Sequence, residues 1–124
     1  MTRKTGLAII GLGPGALPHA KSLLDLADRV EAALAVGRSA EKRRAFAAQF
    51  PFPVTTDLDA AVADPRVEAA LVLTPPASHL DVARRFLEAG KPVLVEKPLE
   101  LTSARAATLV EAAQAAGKTL AVML

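Results

Sequence analysis

Residues 7–20 read LAIIGLGPGALPHA, and the organisation of the whole chain follows from this segment. Four apolar residues run directly into three closely spaced glycines, a pattern that predicts a buried strand turning sharply into a helix. Gly11 allows the tight turn, Gly13 lets a diphosphate approach the backbone, and Ala16 lets the helix pack closely on the strand. The helix would offer unpaired N–H groups and the positive end of its dipole to an anion. The alternative is a glycine-rich turn that binds nothing.

The composition narrows the classes of protein to which the chain belongs. Its 124 residues predict one domain, residues 1–124, that is long enough to bury a core. The chain has no cysteine, which excludes disulfide and Cys-ligated zinc frameworks and fits a reducing, cytoplasmic location. No apolar run approaches the roughly 18 residues of a membrane span. A net charge of +2 and the lack of Trp and Tyr argue against a surface for nucleic acid.

Predicted strands and helices alternate along the rest of the chain. The apolar runs predict six strands, at residues 7–10, 30–36, 54–55, 68–73, 92–95 and 119–124. The segments between them predict five helices, at residues 17–27, 40–49, from 56 or 57 to 63, from 78 to 90, and between an N-cap at Thr102 and a C-cap at Gly117. Ser39 is the predicted N-cap of the second helix. This alternation predicts a doubly wound, parallel α/β sheet with both faces covered, in the strand order 3-2-1-4-5-6.

The turns after strands one, two, four and five are expected to meet at one edge of the sheet, where ligands of such folds bind. The second turn is Gly37-Arg38-Ser39, where an NAD-binding domain usually has an acidic residue for the ribose hydroxyls. Gly37 does not repel a 2′-phosphate, Arg38 is able to pair with it, and Ser39 is able to donate a hydrogen bond. We therefore predict NADP(H) in preference to NAD(H). Lys42 and Arg43 follow one turn later, where a solvated helix face is the alternative.

Residues 74–79, TPPASH, form the fourth turn. Each proline fixes φ, so we expect this loop to be a rigid wall of the crevice. His79, at the start of the next helix, either contacts the substrate or bonds the loop locally, and His19 has the same two interpretations. With two histidines, no cysteine and no carboxylate at ligand spacing, the sequence predicts no metal site.

The fifth turn places charged residues at the end of an apolar strand. Glu96 and Lys97 precede Pro98, and the carboxyl end of a buried strand is where a ligand would lie. A lysine there is able to bond ribose and substrate hydroxyls and to move a proton. The alternative is a Glu–Lys pair at the strand end that contributes little. The Lys97–Pro98 bond is also of the type that adopts the cis form in tight turns.

Taken together, three segments resemble the N-terminal domain of the glucose–fructose oxidoreductase/inositol dehydrogenase/rhizopine catabolism (Gfo/Idh/MocA) family. They are GLGPGALPHA, ADPRVEAALVLTPPASH and AGKPVLVEKPLELTSARAATLVEAA. No single segment is specific, but the combination of glycine turn, Pro-Pro…His and Glu-Lys-Pro is. The resemblance extends over essentially all 124 residues and implies a Rossmann domain that binds a pyridine nucleotide.

The resemblance assigns roles to the residues of the turns. It implies that Lys97 contacts the nicotinamide ribose and the substrate and assists proton transfer, and is thus the catalytic residue of this domain. The substrate class is a CH–OH group of a sugar, cyclitol or related polyol. The predicted cofactor-binding residues are Gly11, Gly13, Pro14, Gly15, Ala16, Gly37, Arg38, Ser39, Thr74, Pro75, Pro76, His79, Glu96 and Lys97.

The family also has a C-terminal substrate domain that supplies a catalytic histidine and dimer contacts, and this domain is absent from these residues. We therefore expect a fragment or truncated form that binds dinucleotide, is inactive alone, and exposes apolar surface through which it self-associates. Two alternatives fit part of the pattern. One is a stand-alone nucleotide-binding sensor or partner module, which would not need the Glu-Lys-Pro sequence. The other is a methyltransferase that binds S-adenosylmethionine at G-x-G-x-G, against which the fifth turn and the non-acidic second turn both argue.

Overall fold

The computed structural model describes residues 3–124, which form a sheet of six strands with helices between consecutive strands. The strands are β1 (Thr5–Ile10), β2 (Val30–Val36), β3 (Val54–Thr55), β4 (Ala69–Val72), β5 (Val93–Glu96) and β6 (Leu120–Met123). The helices are α1 (Ala16–Asp25), α2 (Ala40–Gln49), α3 (Leu58–Ala63), α4 (His79–Glu88) and α5 (Ser103–Ala116), with a 3-10 turn at Pro76–Ser78. All the pairings are parallel, and the strand order is β3-β2-β1-β4-β5-β6. The predicted class and strand order are confirmed.

Three helices begin at residues whose side chains accept a hydrogen bond from the first turn. These N-caps are Ser39 for α2, Asp57 for α3 and Thr102 for α5. Gly117 ends α5 with φ at 65°, a left-handed conformation that glycine adopts without strain. The predicted caps at Ser39, Thr102 and Gly117 are confirmed, since cap residues are recognisable from local sequence.

Helix α4 begins one residue later than predicted, at His79 rather than Ser78. Pro76–Ser78 form a 3-10 turn, and the Ser78 hydroxyl lies 2.6 Å from the Pro75 carbonyl oxygen and 2.7 Å from Thr74 Oγ1. The hydroxyl therefore bonds within the turn instead of capping the helix. Other bounds differ from the prediction by one or two residues, which is the usual uncertainty of element ends.

The carboxyl ends of the four central strands lie at the same level. Ile10 pairs with Val36 on one side and with Val72 on the other, and Val72 pairs with Val95. Because the strands are parallel, the turns that follow them emerge side by side along one edge of the sheet. The chain crosses from one half of the sheet to the other after β3, so β1 and β4 form the switch point of the fold.

Helices cover the two faces of the sheet unequally. On one face α3, α4 and α5 bury a core that includes Phe86, Leu87 and Leu109. On the other, α1 and α2 pack over β1, β2 and β3, where Phe46 contributes to a second core. Leu94 of β5 and all four residues of β6 are only half-buried. Helices therefore cover both faces of the sheet, as predicted, but residues 3–124 cover this end of the second face only in part.

None of the helices in residues 3–124 combines the length and apolar character that a membrane crossing requires.

Candidate functional site

The first turn is pressed against the fourth. Gly11 has φ at +106°, and a Cβ there would lie 2.9 Å from the carbonyl carbon and oxygen of Leu73. Its N–H donates to the Val36 carbonyl oxygen at 2.9 Å, which connects the turn to the end of β2. Glycine is required at this position because both the conformation and the space exclude a side chain. Ala16, 1% exposed, packs at the start of α1 as predicted for the third position of the motif.

The next two glycines lie in open space. A Cβ at Gly13 or Gly15 would meet no atom within 4 Å. Gly15 is the N-cap of α1, and no side chain caps this helix. Backbone packing therefore explains Gly11 but leaves Gly13 and Gly15 without a structural need. An uncapped helix N-terminus beside an unfilled backbone surface fits the approach of a diphosphate, so the residues present are compatible with a dinucleotide.

The second turn is fixed by an arginine of α2. Arg43 Nη1 donates to the carbonyl oxygens of Gly37 at 2.9 Å and Arg38 at 3.0 Å. The Ser39 hydroxyl oxygen accepts from the backbone N–H of Lys42 at 3.2 Å, and the Arg38 side chain is exposed. Of the two interpretations of Arg43, the geometry favours neither a phosphate contact nor a solvated face, since its guanidinium binds the turn's own backbone.

Gly37 lies under the first turn. A Cβ at this position would come within 2.8 Å of Cδ1 of Leu12, which is buried. The glycine at the usual place of the acidic residue therefore also makes room for a side chain of the neighbouring loop. This contact joins the first and second turns.

The fourth and fifth turns are joined by His79, which is 1% exposed. Its Nε2 lies 2.8 Å from the Thr74 carbonyl oxygen, and its Nδ1 lies 2.9 Å from that of Pro98 and 3.2 Å from that of Leu99. The geometry favours the local-bonding interpretation over a direct substrate contact, because both ring nitrogens face the backbone of the loops.

The fifth turn is also bonded to α1. His19 Nε2 lies 3.0 Å from Oε2 of Glu96, the last residue of β5, and the two residues are 77 positions apart in the chain. Lys97 is exposed at the edge of the sheet, and the Lys97–Pro98 peptide is cis, as its sequence allows. The Glu96 side chain is thus occupied by His19 rather than by Lys97.

Sequence reasoning missed Glu100, whose side chain is fully buried. Its carboxylate accepts from the backbone N–H groups of Leu80 at 2.9 Å and Leu101 at 2.7 Å, and Arg105 Nε lies 3.3 Å away. Burial opposes ionisation, yet these N–H groups and the guanidinium keep the pKa of Glu100 below its ordinary value. In the sequence, Glu100 is an acidic residue two positions before an N-cap and five before an arginine, and this pattern does not indicate that its side chain is buried.

The four turns therefore form one contiguous edge. Leu12 contacts Gly37, Gly11 packs on the start of the fourth turn, and His19 bonds Glu96. A separate groove of about 460 Å³ lies at the opposite, amino edge of the sheet, between the end of α1 and residues 51–53. That groove contains none of the predicted site residues. Residues 3–124 contain no cluster of three or more side chains of metal-binding type.

Comparison with known proteins agrees with this geometry. Inositol 2-dehydrogenase of Streptomyces avermitilis is 33% identical over 123 residues, which are 98% of this chain and 36% of that enzyme. The structure of GenD2 from gentamicin A biosynthesis, solved with NAD, is 38% identical with a TM-score of 0.89, and the match covers 98% of this chain and 35% of GenD2. Biliverdin reductase of Synechocystis sp. PCC 6803, solved with biliverdin and NADP+, is 30% identical with a TM-score of 0.87 over 95% of this chain and 37% of its own.

The chain thus spans about a third of the length of these relatives. Residues 5–124 match the model of an oxidoreductase family described by its NAD-binding Rossmann fold. That family fold agrees with the strand order of the sheet and with the glycine turn at its carboxyl edge. The chain belongs to the Gfo/Idh/MocA oxidoreductase family and corresponds to its NAD-binding Rossmann domain.

Proposed function

We propose that the chain binds a nicotinamide dinucleotide along the carboxyl edge of its sheet, as the cofactor domain of an oxidoreductase that acts on a CH–OH group. The observation that carries the proposal is the open backbone surface at Gly13 beside the uncapped N-terminus of α1. It lies at the switch point, where such folds bind their ligands. The substrate class, a sugar, cyclitol or related polyol, is supported by the inositol dehydrogenase among the relatives.

Each turn would contact a different part of the dinucleotide. The backbone of residues 11–16 would bind the diphosphate, and Arg38 with Ser39 would face the adenosine ribose. Residues 74–76 and Glu96-Lys97 would border the nicotinamide. His79 would act on this region through the loops, because its ring is buried.

Lys97 is the residue we propose to assist proton transfer. Its side chain is exposed at the end of β5, next to the strand that forms the switch point. The bound nicotinamide would supply hydride exchange with the carbon that carries the hydroxyl. An ammonium group at this position is able to donate a hydrogen bond to that hydroxyl oxygen and to exchange a proton with it. The C-terminal domain of the family would complete the acid–base chemistry, so this chain alone would bind without efficient turnover.

We further propose that NADP(H) binds in preference to NAD(H). Position 37 offers no carboxylate to a ribose hydroxyl. Arg43 holds the backbone of Gly37 and Arg38 in place, and the Arg38 side chain is exposed beside this position. A guanidinium pairs with a 2′-phosphate more strongly than with a neutral hydroxyl. The relatives solved with NAD and with NADP+ fit a family that uses both forms.

Thermal unfolding in the presence of NADPH, NADH and S-adenosylmethionine tests both proposals. We expect NADPH to stabilise the chain by about 2.7 kcal/mol at a concentration 100-fold above its Kd, NADH to need higher concentrations, and S-adenosylmethionine to have no effect. The variant Arg38→Ala should weaken NADPH by about tenfold, the loss of a charge-assisted contact, and leave NADH unchanged. Arg44→Ala, which removes an exposed arginine from α2, the helix that follows this turn, is the control.

Three results would contradict these proposals. Stabilisation by S-adenosylmethionine alone would replace the oxidoreductase with a methyltransferase. No response to either nicotinamide cofactor at millimolar concentration would remove the binding function. Tighter binding of NADH than of NADPH would leave the dinucleotide site intact but reverse the predicted preference.

A further inference from the structure

We propose that His79 is a positioning residue that sets the separation of the fourth and fifth turns, and thereby the shape of the nicotinamide end of the site. The inference rests on the proposed dinucleotide function, which it deepens. His79 does not contact the ligand, since it is 1% exposed and its ring nitrogens face the backbone. Its effect would pass through the two loops that it bonds.

The ring bridges segments that are distant in the chain. Nε2 lies 2.8 Å from the Thr74 carbonyl oxygen, whereas Nδ1 lies 2.9 Å from the Pro98 carbonyl oxygen on the other side of the ring. An imidazole is rigid, so these two contacts fix the distance between the loops in a way that a flexible side chain does not. Each ring nitrogen is thus within hydrogen-bond distance of a carbonyl oxygen, and the two oxygens belong to different loops.

Both bonded loops border the proposed nicotinamide site. Thr74 lies two residues after the end of β4, and its backbone nitrogen packs against Gly11 of the first turn. Pro98 directly follows Lys97, so a bond to the Pro98 carbonyl restricts the backbone next to the proposed catalytic lysine. A displacement of either loop would change the nicotinamide region while leaving the diphosphate turn in place.

A second buried group also bonds the fifth loop. Glu100 accepts from the N–H of Leu80, the residue after His79, and from the N–H of Leu101 in the fifth loop. The start of α4 is therefore bonded to the fifth loop at two adjacent residues. Buried polar side chains whose hydrogen bonds are satisfied rigidify the segments that they join and fix a single arrangement of them. This is the reason for assigning His79 a role beyond stability.

The test compares two ligands that differ only at the nicotinamide end. Binding of NADPH and of 2′-phospho-ADP-ribose, which lacks the nicotinamide, is measured by calorimetry on the 124-residue chain. For His79→Phe, which keeps a ring and removes both contacts, we expect the Kd of NADPH to rise by about tenfold and that of 2′-phospho-ADP-ribose to stay within about twofold. The chain has no Trp or Tyr, so the fluorescence of the reduced nicotinamide reports its environment directly.

The control is Leu87→Ala, which creates a cavity in the same helix two turns away from His79. Leu87 is 0% exposed and takes no part in the hydrogen bonds that join the loops, so this variant loses stability while those bonds remain. It should weaken the two ligands equally or not at all. His79→Gln, whose amide group can bond one loop but cannot span both as the ring does, should give an intermediate loss for NADPH and provides the test where the phenylalanine variant does not fold.

Hydrogen exchange of the His79 ring tests the same inference on the unaltered chain. The sequence contains two histidines, and we expect the ring N–H signals of the buried one to be protected from exchange with water in ¹⁵N-edited spectra. Rapid exchange of the His79 ring, or equal weakening of both ligands by His79→Phe, would overturn the positioning role. Failure of the unaltered chain to bind either ligand would instead remove the dinucleotide function on which the inference rests.

Discussion

Gly11 and Gly13 lie two residues apart in the first turn, yet a side chain at each would meet different surroundings. At Gly11 a Cβ would collide with the backbone at Leu73, and φ at +106° excludes most side chains in any case. At Gly13 a Cβ would meet nothing within 4 Å. The fold thus explains why residue 11 is glycine, whereas only a bound ligand would explain glycine at position 13.

This difference predicts opposite phenotypes for two matched substitutions. Gly11→Ala should lower the free energy of unfolding by about 1 to 3 kcal/mol, because it places a side chain in a strained conformation. Gly13→Ala should leave unfolding unchanged but raise the Kd of NADPH by about tenfold, because its methyl group would occupy the diphosphate surface. Urea unfolding and calorimetry measure the two effects. Normal NADPH binding by the folded Gly13→Ala chain would show that the dinucleotide lies elsewhere.

At the scale of single elements, an N-cap residue stabilises its helix through one local hydrogen bond. Thr102 accepts a hydrogen bond from the N–H of Arg105 at 3.2 Å, at the start of the longest helix among those described. Thr108 lies within the same helix, is exposed, and bonds the Ala104 carbonyl oxygen at 3.1 Å. The same amino acid therefore stands at the N-cap and in the interior of one helix.

We expect Thr102→Ala to lower the free energy of unfolding by about 1 kcal/mol, the usual value of an N-cap. Thr108→Ala should be neutral or slightly stabilising, because alanine has the higher helix propensity and the hydroxyl only repeats a backbone bond. Chemical denaturation of the two variants provides the comparison. Equal losses would mean that the Thr102 hydroxyl does not cap α5.

At the scale of the whole molecule, carboxylates connect segments that are distant in the chain. Glu68 accepts from the Gly6 backbone N–H at 2.9 Å and bonds Arg3, and these contacts lower the pKa of Glu68. Bonds from Arg66 lower the pKa of Asp64 to about 2. With Glu100, three carboxyl groups have a lower pKa in the folded chain than in the unfolded one.

Because the pKa of each of these groups is lower in the folded state, acid lowers the free energy of unfolding. Near neutral pH all three groups are ionised and their contribution is complete. Below the ordinary values, 4.5 for Glu and 3.8 for Asp, the unfolded state binds protons first, so the folded state loses stability. We therefore expect the free energy of unfolding to fall steadily as the pH decreases below about 4.5.

Glu100→Gln separates the buried contribution from the rest. This variant should be less stable than the unaltered chain near pH 7, since it loses charge-assisted bonds, and its stability should decline less steeply below pH 4.5. Glu111→Gln, which neutralises an exposed residue of α5, should follow the unaltered chain throughout. Urea unfolding from pH 7 to pH 3 measures the slopes. Parallel slopes for Glu100→Gln and the unaltered chain would contradict the lowered pKa.

The sequence by itself determined the class of the fold, the number and order of the strands, the helix caps and the family. This was possible because apolar runs, glycine turns and cap residues act within a few positions of the chain. It also indicated which turns carry charged residues, since the carboxyl ends of parallel strands meet at one edge.

Only the tertiary structure decided which polar groups bond across that edge. Glu96 bonds His19, 77 positions away, and Glu100 accepts from Leu80, 20 positions away. The carbonyl oxygens that face the His79 ring belong to two different loops. Exposed apolar surface was expected from the resemblance, but its position at β6 was not. Such contacts depend on how the turns pack against each other in space, and residue spacing along the chain does not specify that packing.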